Sequence, residues 1–520
     1  MPSPYAGLDR PSVATRPEHP RAVGLAALAQ ATGVELHGEG AVAVTGMSLS
    51  SQRVLPGDLY AALPGSRTHG IEFLEAALDA GAAAVLTDAD GLARISGTPV
   101  VPVLVAERPR AILGRVAALV YGDPAQSMRM IGVTGTQGKT TTTRLVEGAL
   151  EGAGIEAAVV GTVGTRITGR DVKTVLTTPE APDLHGLFAL MRERQVRACA
   201  MEVSSHALVM GRVDGVVFDV AVFLNLGRDH LDFHADLEDY FQAKASLFTP
   251  ERARLGLVNL DDDHGRRLAA EARVPIRTFA ISASDADWTA TDIDLGRDGS
   301  DFTLRGPRDS GIELRVRCPL AGGFNVSNAL AALAAIGESG LPGDALGAAA
   351  AALGGGAGVP GRLERIDAGQ EFTVVVDYAH KPDAVEAAIS TLRPLTGGRV
   401  IVVLGAGGDR DAGKRPLMGE SAARLADVLV VTDDNPRTED PATIRAAVLA
   451  GAAEVPAGER AEVLEVGDRR QAIAEACRRA ARGDIVLIAG KGHESGQEID
   501  GVVHPFDDRA VAREVLVTPR

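Results

Sequence analysis

The spacing of apolar residues divides the chain into alternating strands and helices. Near the N-terminus, Pro56-Gly57-Asp58 and Leu63-Pro64-Gly65 punctuate short β-like runs, since proline and glycine interrupt regular structure. Residues 72–80 then show the spacing of an amphipathic helix, and 83–87 is an apolar run of strand length. A helical stretch over 108–120 breaks at Gly122-Asp123-Pro124, and the apolar strand 128–133 leads straight into a glycine-rich loop. From there, strand-like runs at 198–203, 216–224 and 255–258 alternate with helical ones, the pattern of βα units and a largely parallel sheet. Beyond an Ala/Gly-rich segment over 347–361, four apolar strands recur at 373–376, 400–404, 428–432 and 485–489, each followed by a Gly- or Asp-rich loop. The outline is an α/β protein. In open α/β sheets ligands sit outside the carboxyl ends of the strands, so sites are expected in those loops.

A chain of 520 residues is too long for one hydrophobic core. Three domains are expected, over 1–126, 127–358 and 359–520, with a hinge in the glycine-rich stretch 354–361. The 45% apolar content is ample for globular cores. A net charge of −16 excludes a general nucleic-acid binder, which needs a concentrated basic face, so any anionic ligand must meet local positive charge or metal. The three cysteines, Cys199, Cys318 and Cys477, form no CxxC pair, which argues against a disulfide framework or structural zinc. Residues 1–20 hold no apolar signal core, and no run approaches the length of a membrane span. A cytoplasmic location without membrane insertion is expected.

The loop after strand 128–133 reads Gly135-Thr136-Gln137-Gly138-Lys139-Thr140-Thr141 and opens a helix. Glycines let backbone N–H groups approach phosphate oxygens, the helix N-terminus adds its positive dipole, Lys139 adds a point charge, and Thr140 can ligate Mg²⁺. The spacing is a variant of the usual nucleotide loop: Gly132 leaves five residues before the Gly-Lys pair and Gly135 leaves two. Glu202 ends strand 198–203 at the same edge and can hold a Mg²⁺ that bridges phosphates. His230, in a loop rich in Asp and His, is a candidate second metal ligand; taken alone it reads more readily as a hydrogen-bonded loop histidine.

The motifs GTQGKTT (135–141), EVSSHAL (202–208), NLGRDHLDFH (225–234), Ala243-Lys244, GxFNxxNxxAA (322–332), DYAHKPDA (377–384) and GKGHE (490–494) together resemble the Mur ligases. The matches run in order over nearly the whole chain. The resemblance implies a UDP-binding N-terminal α/β domain, a central phosphate-loop ATPase with a mostly parallel sheet, and a Rossmann-like C-terminal domain. It also implies an ATP-dependent carboxylate-amine ligase of peptidoglycan precursor synthesis that adds meso-diaminopimelate to UDP-MurNAc-L-Ala-D-Glu through an acyl phosphate.

Residue by residue, the resemblance implies that Gly135 to Thr141 bind ATP phosphates, and that Asn328, Arg362, Asp377 and His380 hold its adenine, ribose and phosphates. It implies two Mg²⁺ sites drawing on Thr140, Glu202, His230 and Lys244, with Lys139, Glu202, His230 and Lys244 catalytic and Lys244 carrying a CO₂-derived carbamate. For the UDP-sugar dipeptide, Leu49, Ser51, Ser66, Arg67 and Thr68 match the uracil end, while Thr177, Thr178, Ser204 and Arg212 match contacts to the sugar and peptide. Here Ser50-Ser51-Gln52 stands where many relatives read Asp-Ser-Arg, and Met210 where Gln is frequent. Arg410, Asp434, Asn435, Pro436, Arg437, Gly490 and Glu494 match the pocket that reads diaminopimelate, whose far-end carboxylate an arginine fork can pair. A monomer acting on small molecules is expected. The alternatives are a lysine-adding or folylpolyglutamate-type ligase, and a nucleotide-binding regulator without catalysis.

Overall fold

The computed structural model describes residues 14–174, 176–356 and 358–517. The outer ends of the first and third expected domains, and residue 357 of the expected hinge, lie outside them. The chain forms two compact units. The first holds residues up to 291 with 303–316 and 327–355; the second holds 292–302, 317–326 and 356 onward.

In the first unit, an N-terminal sheet runs in the order Glu35–His37, Val103–Val105, Ala84–Thr87, Asp58–Ala61, Gly46–Ser48. Its last four strands are parallel. Leu25, Leu59, Leu86, Leu104 and Val116 fill its core, which also takes in Ala189 from the helix Ala181–Glu193. The helix expected over 72–80 begins as the 3-10 turn Gly70–Phe73, where the His69 imidazole accepts from Ile71 N–H, and becomes α-helical over Leu74–Asp79.

Six inner strands of an 11-stranded sheet run in the order Ala157–Gly161, Ala198–Glu202, Arg129–Thr134, Val220–Phe223, Gly256–Asn259, Ile276–Ala280, parallel to one another, with Gly164–Ile167 antiparallel at the outer side of Ala157–Gly161. The strand expected over 216–224 is shorter because Asp219 turns its carboxylate to Met130 N–H and Phe218 makes only an isolated bridge to Ala253. From Arg129–Thr134 the chain crosses to Ala157–Gly161, and Ala198–Glu202 fills the place between them, whereas Val220–Phe223 lies on the other side. Such a reversal opens a crevice at the carboxyl ends of the central strands, and the phosphate loop stands there.

The second unit has a sheet in the order Glu364–Ile366, Thr373–Asp377, Ile485–Ala489, Val400–Leu404, Val428–Val431, Glu462–Glu465. All pairs but the first are parallel. The four apolar runs read from sequence are its inner strands. Glu462–Glu465 escaped that reading because half of it is charged, as suits a sheet edge. Separate buried clusters cover the two faces, with Val402, Leu404 and Leu487 in one and Ile401, Val403 and Ile488 in the other. The loops after the four inner strands therefore gather at one carboxyl edge.

Candidate active site

The phosphate loop is built by its neighbours. Gly138 has φ 86 and caps the helix Lys139–Gly152; a Cβ there would stand 2.5 Å from Asn328 Oδ1, so glycine is required for conformation and for space. Asn225 staples the loop from the adjacent strand end: its Oδ1 accepts from Thr136 N–H at 3.1 Å and Gln137 N–H at 2.9 Å, and its Nδ2 donates to Gln137 O. Thr136 Oγ accepts from Gly227 N–H at 2.9 Å and meets the Tyr240 hydroxyl at 3.3 Å. Thr142 donates to Asn328 Oδ1 at 3.4 Å, which places the expected adenine-side residue against the loop.

Two lysines converge on one carbonyl. Lys139 Nζ donates to Gly135 O at 2.7 Å, and Lys244 Nζ donates to the same oxygen at 2.9 Å. Lys244 comes from the helix Leu237–Ala245, is 1% exposed, and lies 4.4 Å from the centre of the Tyr240 ring. Burial pushes the Tyr240 hydroxyl well above its ordinary range. Its ring thus serves as a neutral cation–π face.

Glu202 joins this loop to the residues expected on the sugar and peptide side. Its Oε1 accepts from Thr140 Oγ at 2.9 Å and from Thr162 N–H at 2.8 Å, while Oε2 accepts from Thr162 Oγ at 3.1 Å. Thr162 Oγ lies 3.1 Å from Thr177 Oγ. Thr178 donates to the Glu202 carbonyl at 2.8 Å and accepts from Ser204 N–H. Ser204 in turn caps the helix Ser205–Val209 through Ala207 N–H. Arg212 donates to Thr178 O and pairs with Glu180 at 2.8 Å. Thr140, Glu202, Thr177, Thr178, Ser204 and Arg212 are therefore one hydrogen-bonded set.

His230 stands at φ 53, with its ring 3.2 Å from Asp229 and in edge contact with His206 and Tyr240. Burial lowers the neighbouring His206, with His234 adding to the effect. Among the described residues no three His, Cys, Asp or Glu side chains gather as a metal cage. Hydroxyl and carboxylate oxygens at Thr140 and Glu202 nevertheless fit Mg²⁺, which takes one or two protein oxygens and completes its shell with substrate phosphates and water. The uracil-side residues are more scattered: Leu49 is half-buried, Ser51 opens the turn Ser51–Arg53, and Ser66, Arg67 and Thr68 are exposed. Among the described residues no hydrogen bond links them to the phosphate loop.

The second unit carries its own cluster. Asp377 accepts from Leu363 N–H at 2.7 Å, and burial raises its carboxyl above the usual range, against the pull of Arg362. Arg362 lies 4.5 Å from the Tyr378 ring, which also faces His380 and His493. Burial lowers His380 to about 3, helped by Lys381 and Lys414. Gly361 has φ 63, and a Cβ there would strike His493 N at 2.2 Å, so glycine is what lets these loops close-pack. Arg362, Asp377 and His380 thus form one group.

The residues expected to hold the amino acid form an adjoining group in the same unit. Asn435 Nδ2 donates to Glu494 Oε2 at 2.8 Å, and Asp434 packs against Gly490, where a Cβ would meet its Oδ2 at 2.5 Å. Arg437, at φ 54, donates to Gly408 O at 2.6 Å and lies 3.4 Å from Glu498, while Pro436 O packs on Gly408. Arg410 is exposed on the same 405–410 loop. Sequence reasoning missed three residues here and in the first unit: Asn225, Thr162 and Lys491. Lys491 is 0% exposed, and it donates to Asn435 Oδ1 at 3.0 Å and Glu494 Oε2 at 3.2 Å. Its position inside GKGHE was the only available signal.

A parallel sheet with a phosphate loop at its switch point, followed by a unit whose own strand ends hold a second cluster, defines a phosphate-loop enzyme of the α/β class. Family models match in sequence: the "Mur ligase family, catalytic domain" over 43–121, the "Mur ligase middle domain" over 133–336 and the "Mur ligase, glutamate ligase domain" over 361–492. The chain is 54% identical over 502 residues to the UDP-N-acetylmuramoyl-L-alanyl-D-glutamate--2,6-diaminopimelate ligase of Streptomyces avermitilis, covering 96% of this chain and 98% of that protein. It is 45% identical over 506 residues to the UDP-N-acetylmuramyl-tripeptide synthetase of Leifsonia xyli, covering 97% and 98%. A solved UDP-N-acetylmuramoyl-L-alanyl-D-glutamate--2,6-diaminopimelate ligase superposes with TM-score 0.66 at 34% identity, covering 95% of this chain and 99% of that one. The chain belongs to the Mur ligase family and is an enzyme of the ligase class.

Proposed function

We propose that the chain joins meso-diaminopimelate to the D-glutamyl carboxylate of UDP-MurNAc-L-Ala-D-Glu, converting ATP to ADP and phosphate, in peptidoglycan precursor synthesis. The relatives named above support the substrate pair. The observation that carries the reading is the unbroken hydrogen-bonded path Thr140–Glu202–Thr162–Thr177, which ties a phosphate-binding loop to residues suited to hold the acid to be activated.

The loop N–H groups and Lys139 bind and neutralise the terminal phosphates. Thr177, Thr178, Ser204 and Arg212 orient the carboxylate for in-line attack on the γ-phosphorus, which releases ADP and leaves an acyl phosphate. The diaminopimelate amine then attacks the acyl carbon, loses a proton and expels phosphate. Asp434, Asn435, Arg437 and Glu494 orient that amino acid; Arg362, Asp377, His380 and Asn328 contribute to nucleotide binding. Thr140 and Glu202 would hold one Mg²⁺, and His230 with a carbamylated Lys244 a second; bound there, the metal would neutralise charge on the phosphates.

Carbamylation of Lys244 suits its place, because two ammonium groups on one carbonyl repel, and a carbamate would replace that repulsion with attraction for Lys139 and metal. The three domains 1–126, 127–358 and 359–520, closure about the 354–361 hinge to exclude water, and a cytoplasmic monomer complete the proposal. A reaction between a soluble nucleotide sugar, ATP and a free amino acid supports that location.

The synthetase name of the Leifsonia relative leaves the added amino acid open, so lysine is the second reading. Mass spectrometry of the product formed from equal diaminopimelate and lysine decides between them. Diaminopimelate product in large excess is expected; predominantly lysine product would overturn the assignment. Nucleotide binding with no product from either would favour a non-catalytic regulator.

A further inference from the structure

Lys491 stands between the two side chains most directly placed to read an incoming amino acid. It follows the strand Ile485–Ala489 and is 0% exposed, while its partner Glu494 keeps 31% of its side chain exposed. The ammonium therefore faces inward from behind, and the carboxylate faces outward. Lys491 Nζ donates to Asn435 Oδ1 at 3.0 Å, and Glu498 N–H donates to the same oxygen at 3.0 Å. With both donors on Oδ1, the Asn435 amide has one orientation, and its Nδ2 points to Glu494 Oε2 at 2.8 Å. That same Oε2 also accepts from Lys491 at 3.2 Å. Burial, and next the charge of Glu494, push the Tyr378 hydroxyl up to about 12; the two side chains share a hydrogen bond as well. Glu494 is thus already supplied with donors and with a compensating charge. Around it Asp434 lies against Gly490, and Arg437 reaches the Gly408 carbonyl beside Glu498. The Arg469–Asp508 pair is fully buried at 2.7 Å, and the Arg469 guanidinium, paired first with Asp508, also lies within the field of Asp434 and Glu494.

We propose that Lys491 is a specificity-determining positioning residue: by neutralising Glu494 and fixing the Asn435 amide, it makes the pocket favour an amino acid whose far end bears a carboxylate over one whose far end is a lone ammonium. A lone ammonium entering here meets a carboxylate whose charge is already matched, and it is repelled by Lys491 and Arg437. A far-end carboxylate meets Arg437 and an inward positive field, and its companion ammonium is then compensated by its own carboxylate as well as by the outward oxygen of Glu494. Selection against the wrong substrate therefore comes from an added repulsion as much as from an added contact. The charge behind the wall decides what the wall accepts.

This rests on the diaminopimelate reading above, and the two fail in different ways. If the wild-type enzyme makes no diaminopimelate product, that reading fails. If it does, the inference is tested by the ratio of kcat/KM for diaminopimelate to that for lysine, with the nucleotide dissociation constant measured alongside. Lys491→Met and Lys491→Gln are expected to lower the ratio by about tenfold or more, mainly through the KM of the amino acids, with nucleotide affinity kept; Lys491→Arg should restore most of it. An unchanged ratio in the Met and Gln variants, with nucleotide bound normally, would overturn the proposal. Should those variants fail to fold, the wild-type enzyme still answers. 2-Aminopimelate, which keeps the far carboxylate and lacks the far amine, should outperform lysine by about tenfold, and lysine outperforming 2-aminopimelate would sink the idea.

Discussion

The phosphate loop of the first unit and the loops of the second that are proposed to hold the amino acid both stand at carboxyl ends of parallel strands, yet they are assembled from different materials. The first is made mostly of backbone: glycine turns, a helix N-terminus and N–H groups held by Asn225 and Thr136, with Lys139 and Lys244 meeting at one carbonyl. The second is made of charged side chains that hold one another, Lys491 with Glu494, Arg437 with Glu498, and Arg469 with Asp508. The contrast suits the ligands proposed for the two sites. Every nucleotide presents the same phosphate geometry, which main-chain groups can match without regard to what else is bound. An amino acid must be told from others by the charges at its far end, which takes ion pairs whose loss leaves a partner unmatched. Disturbing the first site should stop the chemistry, and disturbing the second should change what is joined.

The largest effect expected from that division is on turnover. Lys139→Ala and, separately, Glu202→Gln should each reduce phosphate release by about a thousandfold or more while the choice between diaminopimelate and lysine stays unaltered in the residual product. Stopped-assay radiochemistry would show it, and a change of selectivity would blur the two roles. Next comes Arg437→Ala, expected to cut kcat/KM for diaminopimelate by about a hundredfold with the KM for ATP within about twofold of wild type. Steady-state titration of each substrate would separate the two. A smaller loss, near tenfold in nucleotide affinity, is expected of Asn225→Ala. That change removes the acceptor of two loop N–H groups, a cost of about 1–3 kcal/mol shared between stability and binding; calorimetric titration with ADP and a melting curve would divide it.

The smallest effect concerns pH. His380 and His185 are lowered to about 3 and about 4 by burial, from an ordinary value of 6.5. Between those values and 6.5 the unfolded chain binds protons that the folded chain refuses. Their contribution to stability is therefore complete above about 6.5 and is lost as pH falls toward 4. Melting temperature should drop over that window, and His380→Gln should flatten part of the fall. Because one histidine lies in each unit, the single variants would show whether the two units respond separately.

Much of this arrangement was legible in sequence. Apolar runs marked the inner strands of both sheets, since a parallel strand buried on both faces reads as a continuous hydrophobic stretch. GTQGKTT stood out because phosphate binding constrains local spacing. What escaped was whatever depends on partners far along the chain. Nothing near Asn225 announces that its amide will hold a loop some ninety residues earlier, and Thr162 becomes visible only when Glu202 is seen to reach it. Lys491 was in plain view within GKGHE, but a lysine in a glycine loop reads as solvated until the fold buries it. The strand expected over 216–224 was too long for a related reason: Asp219 and Phe218 have strand-like neighbours, and tertiary hydrogen bonding to Met130 ended the ladder.

The central claim is that the acid is activated by phosphoryl transfer only as part of its capture by an amine. The direct measurement is phosphate release from ATP by the purified enzyme with neither, either or both of UDP-MurNAc-L-Ala-D-Glu and diaminopimelate. Sustained release is expected only with both present, in equal amounts with amide product; release at the same rate without them would contradict the account.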